Sequence, residues 1–204
     1  MSNRNRCILN RELILKTALD ILDNSGIESL SMREIANKLD VKAMSLYNHI
    51  KNKEDLLTGI VEIILSEVQY PELMADWKDN VRSISCSFHA ALLRHPHAIF
   101  IVSTHSPITE NGITHVEKML SILNEANITG ISVFSLLHIL LAYIIGHAAM
   151  SVAKSQNATQ HDMPDACSVN LSTLPNLANA VQESSSRDIE REFLYGLDLM
   201  LKNL

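Results

Sequence analysis

Three helix starts crowd into residues 31–53, and that crowding restricts the possible fold more than any other feature of the chain. Ser31 and Glu34 form an S-x-x-E capping box ahead of Met32, Ile35, Ala36 and Leu39, which predicts a short amphipathic helix. Asp40-Val41 is a tight break. Lys42 to Asn48 then reads as a second short helix of this pair. Asn52 caps a longer one whose buried face carries Leu56, Leu57, Ile60, Ile63 and Ile64. Upstream, Ile14, Thr17, Ala18, Ile21 and Leu22 share one stripe, so a first helix is expected over about 10–24, stopped by Gly26.

Two short helices joined by a tight turn, the second narrow and polar, have the shape that fits a DNA major groove. On the second, Ala43, Ser45 and Asn48 are small or hydrogen-bonding and permit close approach to base edges. Tyr47, His49 and Lys53 flank it within reach of phosphates, which position a module without reading sequence. An amphipathic hairpin buried in a core is the alternative, and the combination of caps, turn and charges argues against it. Net charge of −6 for the whole chain misleads here. Residues 1–53 hold nine basic and six acidic residues, a balance of +3, whereas the remainder holds 8 and 17, a balance of −9. Any polyanion belongs at the N-terminal end.

Beyond Pro71 the helices lengthen. They are expected at about 76–94, 96–103, 110–126, 131–154 and 187–203, with breaks at Pro96, Pro107 and Gly130. The polar stretch 155–170 reads as a loop, and 175–182 as a short helix within that connection. No strand-like alternation or repeat stands out, so the fold class is all-α: a three-helix unit joined to a larger helical unit. The expected division is 1–53, a joining helix at 53–68, and 69–204.

Residues 11–61 resemble the DNA-binding domain of the TetR family of bacterial repressors. The matching string is Leu39-Asp40-Val41-Lys42-Ala43-Met44-Ser45-Leu46-Tyr47-Asn48-His49-Ile50-Lys51-Asn52-Lys53, followed by Leu56-Leu57. The resemblance implies that Tyr47 and Lys53 hold the DNA backbone and that Arg33, Ala43, Met44, Ser45 and Asn48 lie at or near bases. Asp40 stands where Gly is common in that turn, and Asp accepts left-handed backbone at some cost. The C-terminal half resembles the tetracycline-repressor branch more loosely, through His95-Pro96-His97, Thr104-His105-Ser106-Pro107, Ala142 to Gly146-His147, and Glu192 to Leu199. That branch places a metal-binding His just before the Thr104 segment, where this chain has Ile101. A magnesium–tetracycline complex is therefore poorly supported as effector.

Other classes are weaker. Residues 131–153 are uncharged for 23 residues, enough to span a bilayer. However, Ser135, His138, Gly146 and His147 interrupt them and no Lys/Arg cluster sets an orientation. A helix apolar all round equally suits a dimer core. Seven histidines between 89 and 147 invite a metal or hydrolytic site, yet no partner stands at ligand spacing and no G-x-S-x-G or phosphate-cradling loop is present. Neither an enzyme, nor a cofactor, nor a bound metal is expected. The scattered Cys7, Cys86 and Cys167, with no apolar leader in residues 1–13, fit a cytoplasmic protein.

The expected partners are thus a double-stranded operator, a small-molecule effector and a second copy of the chain. The effector is expected between the helices at about 76–126 and that at 131–154, against Phe88, Leu92, Leu137 and Leu141 with His105, His138 and His147 among them. The dimer is expected from surplus apolar surface on the last helix: Phe193, Leu194, Leu197, Leu199, Met200, Leu201 and Leu204. The runner-up is a ligand-independent DNA-binding protein whose second half serves only for assembly.

Overall fold

In the computed structural model, residues 9–71, 76–105, 109–159, 174–176, 179, 188–202 and 204 are described. All regular structure among them is helical. Helix α1 (Arg11–Ser25) starts at Asn10, whose Oδ1 accepts the Leu13 N–H at 2.8 Å. It stops at Gly26, whose φ of 74° is costly for any residue with a Cβ. After a single 3₁₀ turn, α2 (Met32–Leu39) is capped by Ser31 Oγ, which accepts the Glu34 N–H. Asp40 ends it in the left-handed region at φ 54°, ψ 45°, as the break at Asp40-Val41 requires.

Helix α3 (Ala43–Leu46) is shorter than the span 42–48 read from the sequence. The His49 and Ile50 N–H groups both donate to the Leu46 carbonyl at 2.9 Å, closing the helix in a turn. Leu46 and Ile50 are fully buried, and reaching the core with both forces the turn. Helix α4 (Lys53–Ser66) follows, capped by Asn52. Gly59 lets it cross α1 closely, because a Cβ there would lie 2.5 Å from Leu15 Cδ2.

The remaining helices are α5 (Trp77–Arg94), α6 (Ile99–Thr104), α7 (Glu110–Glu125), α8 (Val133–Thr159) and α9 (Ile189–Lys202). Pro96 opens a 3₁₀ turn, Pro96–Ala98, ahead of α6, where one continuous helix over 96–103 was expected. Helix α8 runs to Thr159, so the predicted loop begins later. The rest of that loop, and most of the short helix expected at 175–182, lie outside the described residues.

One core runs through both units, with α4 common to them. Ile14, Leu22, Ile35, Leu46, Leu56 and Ile60 are buried at the N-terminal end, and Val81, Phe88, Leu92, Leu123, Leu140 and Phe193 at the other. Truncating one such side chain to Ala costs about 2–5 kcal/mol. Phe193 stacks on His89 with ring centroids 4.0 Å apart, and Tyr143 donates to the Phe193 carbonyl at 2.9 Å, tying α5, α8 and α9 together. Leu197 and Leu201 are buried with them, so they stabilise their own subunit rather than supplying surplus surface. Leu199, one of those expected, does stay exposed, and α8 and α9 also leave Phe134, Ile139, Met150, Ile189 and Tyr195 outside. Helix α8 is long and apolar enough to cross a membrane, yet its inner face, Leu136, Leu137, Leu140, Ile144 and Ala148, is packed in this core.

Candidate functional site

The N-terminal helices build a rigid frame with a charged outer face. Arg11 at the start of α1 donates to both Asp55 carboxylate oxygens, at 3.1 and 2.7 Å, and to the His49 carbonyl at 3.2 Å. Lys51 N–H donates to Asp55 Oδ2 at 2.7 Å, and Asp55 N–H to Asn52 Oδ1 at 2.8 Å. The Arg11 hydrogen bond foremost holds the Asp55 carboxyl below its usual pKa of 3.8. Bidentate, charge-assisted pairing of this kind fixes direction as well as energy. The turn after α3 and the start of α4 are therefore pinned to α1.

On that frame Arg33, Lys42, Met44, Tyr47, Asn48 and Lys53 are exposed, while Ala43, Ser45 and His49 are half-buried at the base of α3. Met44 is 76% and Tyr47 48% exposed. Arg11, Lys16 and Lys38 are neutralised by Asp55, Glu12 and Asp20. Arg33, Lys42 and Lys53 have no acidic partner among the described residues. The unpaired cations thus collect around α3, where the modest +3 of residues 1–53 does not reveal them. Such a face suits a polyanion with bases recessed in a groove.

A cavity of about 120 Å³ lies between α4, α5, α7 and α8. Its walls are apolar: Val61, Leu65 and Val68 from α4 and its end, Ile84 and Phe88, Val102, Val116 and Met119, and Leu137, Leu140, Leu141, Ile144 and Ile145 on α8. Three polar side chains reach it, Tyr70, Ser85 and His115. Tyr70 Oη is 3.0 Å from His115 Nδ1. Burial pushes the Tyr70 phenol up to about 12 and His115 below its usual value, with Lys118 adding to the latter, so both are neutral near pH 7. Ser85 is 1% exposed, and its Oγ has no hydrogen-bond partner among the described residues.

Of the residues expected to touch an effector, Phe88, Leu137 and Leu141 line this cavity. The other four do not. Leu92 is fully buried in the core beyond it. His105 follows α6, with Nδ1 2.9 Å from Thr104 Oγ1 and Nε2 3.5 Å from Glu54 in the first turn of α4. His138 is exposed on α8 and meets Phe134 edge-on. His147 faces His89, Nδ1 to Nε2 2.9 Å, on the side of α8 that meets α9. Apolar spacing alone did not tell which side of α8 faces inward. Missed were the α4 wall and the trio Tyr70, Ser85 and His115. Ser85 had a signal: it is a polar residue within the buried stripe Val81, Ile84, Phe88, Leu92. Ile101, at the position of the branch's metal-binding His, is fully buried. Among the described residues no three His, Cys, Asp or Glu gather as a metal site.

A second contact joins the units. His95, after α5, lies 2.7 Å from Asp23 at the end of α1 and 3.0 Å from Glu67 just beyond α4. Arg94 also donates to Glu67, at 2.6 Å. The ends of α1 and α4 are thus fastened to α5.

These features have counterparts in known proteins. Residues 14–60 match the bacterial regulatory proteins of the tetR family, and residues 70–204 the tetracyclin repressor-like C-terminal domain. The chain is 32% identical over 200 residues to the tetracycline repressor protein class D of Escherichia coli, covering 95% of this chain and 88% of that one. The TetR family protein ActR of Streptomyces coelicolor, in complex with actinorhodin, superposes with a TM-score of 0.81 at 26% identity, covering 97% and 95% of the two chains. Apo ActR gives 0.79 at 26% identity, covering 96% and 94%. The chain belongs to the TetR family of bacterial transcriptional regulators.

Proposed function

We propose that this chain is a homodimeric repressor that holds a palindromic operator and lets it go when a small molecule enters the cavity. Residues 1–53 form the DNA-binding domain, helix 53–68 the joint, and 69–204 the ligand and dimer domain. Arg33, Met44, Ser45 and Asn48 with Ala43 meet the bases, and Lys42, Tyr47, His49 and Lys53 the phosphates. The exposed apolar groups of α8 and α9 pair with those of a second copy, as a two-fold interface permits. Small side chains at Ala142, Gly146 and Ala149 on that face let the helices approach. The protein acts as a regulator without catalysis, in the cytoplasm.

The observation that carries this reading is the double duty of α4. Its first residue, Lys53, stands beside α3, and Val61 and Leu65, about two and three turns on, wall the cavity. Filling the cavity must move α4 or its neighbours, and with them the spacing of the two recognition helices. A ligand that favours the mismatched spacing by about 1–3 kcal/mol weakens the operator about 5- to 150-fold. The actinorhodin complex of ActR supports a ligand in this fold, and the cavity favours it over a domain used only for assembly. Selecting duplexes from a random pool with the purified protein tests the DNA half: inverted half-sites are expected, and direct or single half-sites contradict it.

A further inference from the structure

Taking the cavity as the effector site, as proposed above, its lining restricts the chemistry of what enters. Size comes first. About 120 Å³ is close to the ~150 Å³ of an apolar cavity that holds benzene and well below the ~300–1,000 Å³ of sites for drug-sized molecules. Charge comes second. Among the described residues no Asp, Glu, Lys or Arg lines the cavity, and burial favours the neutral forms of Tyr70 and His115. Lys118 lies 4.8 Å over the Tyr70 ring but does not line the wall. An ionised ligand would shed its hydration and meet no counter-charge.

Polar contacts come third. Tyr70 Oη and His115 Nδ1 already pair with each other, whereas Ser85 Oγ is a fully buried polar atom of the lining without a partner among the described residues. A serine inside a helix ordinarily bonds back to the carbonyl four residues earlier, here that of Val81, and Ser85 does not. Buried hydroxyls are almost always paired, so one left open in an apolar chamber marks where a ligand's polar atom belongs. We infer that the effector is an uncharged molecule about one ring in size, whose single carbonyl or hydroxyl group pairs with Ser85 Oγ.

Calorimetric titration of the full-length protein and of Ser85→Ala tests this with p-cresol, p-xylene and p-toluate. The three share a shape and differ in one substituent: hydroxyl, methyl or carboxylate. The wild type is expected to bind p-cresol at least tenfold tighter than p-xylene and to reject p-toluate. In Ser85→Ala the two neutral affinities should converge while p-xylene binding persists, which also shows that the variant is folded with its cavity intact. An unchanged p-cresol preference in Ser85→Ala, or p-toluate binding as tight as that of p-cresol, overturns the inference. Binding of the three-ring 1,8-dihydroxyanthraquinone with rejection of all single rings overturns its size but leaves the cavity as effector site. Neutral probes that bind equally well after Leu141→Trp fills the cavity sit elsewhere, and both readings then fall.

Discussion

Met44 and Ile139 are both exposed apolar side chains, 76% and 47% open to solvent, yet their surroundings differ. Met44 stands on a one-turn helix among cations that have no acidic partner among the described residues, on a frame fixed by Arg11 and Asp55. Ile139 stands on a 27-residue helix with Phe134 and Met150 exposed along the same element. The first setting suits a charged polymer whose bases offer apolar edges; the second suits another copy of itself. The interiors differ in the same sense. In the N-terminal core Gly59 permits close contact of α1 and α4, whereas the C-terminal core holds a cavity and a hydroxyl without a partner among the described residues. One unit is built to hold its shape and the other to be altered by what it takes in.

The largest expected effect separates the two kinds of apolar residue on α8 and α9. Ile139→Glu should give a folded monomer that loses about 10²–10⁴ in operator affinity, because the second half-site is no longer held in tandem. Leu197→Glu, buried beside Phe193, should instead unfold the C-terminal unit. Sedimentation and circular dichroism together distinguish them. A dimeric Ile139→Glu would place the interface elsewhere.

Acid should undo the two units in sequence. Burial, with the neighbouring His147 second, holds His89 down to about 4 from an ordinary 6.5. Between those values the unfolded chain binds the extra proton, so this contribution is present above 6.5 and is lost as pH falls towards 4. It amounts to about 3 kcal/mol. Asp55 works lower: its pKa is below 3.8, so its contribution is present above 3.8 and lost only as pH falls through the depressed value. Amide exchange, corrected for intrinsic rates, should show α5, α8 and α9 losing protection before α1 to α4. Simultaneous loss would mean that the junction at His95 couples them too tightly for the distinction to matter.

Smaller effects divide the DNA face itself. Lys53→Ala should weaken all duplexes alike and flatten the salt dependence by about 0.9 in log–log slope, the change expected when one phosphate is no longer neutralised. Asn48→Ala should cost about 1–3 kcal/mol on the preferred site and little on others. If Lys53→Ala leaves the slope unchanged, the docking of α3 is misassigned.

The same contrast governs what could be read from the chain. Ser31, Asp40 and Asn52 act locally: each caps or breaks a helix through its own backbone neighbours, so their spacing sufficed to place α2, α3 and α4. The cavity depends on which sides of four helices meet. His138 and His147 lie nine residues apart on α8, yet one points outward and the other to His89, and apolar residues all round gave no moment to orient them. Tyr70 and His115 are 45 residues apart in sequence and meet only through the fold. Leu197 was misjudged for the same reason, since burial within a subunit and burial between subunits select the same side chains.

The central claim is that occupying the cavity changes the spacing of the two α3 helices through α4. Spin labels at Glu28→Cys in both protomers, with Cys7, Cys86 and Cys167 replaced by Ser, report that spacing by double electron–electron resonance. Glu28 is exposed on the same rigid unit as α3 and far from the cavity helices in sequence. Saturating p-cresol, with occupancy verified by calorimetry, should shift the interlabel distance in the wild-type background and leave it unmoved when Leu141→Trp blocks the cavity. An unchanged distance at full occupancy would contradict the account.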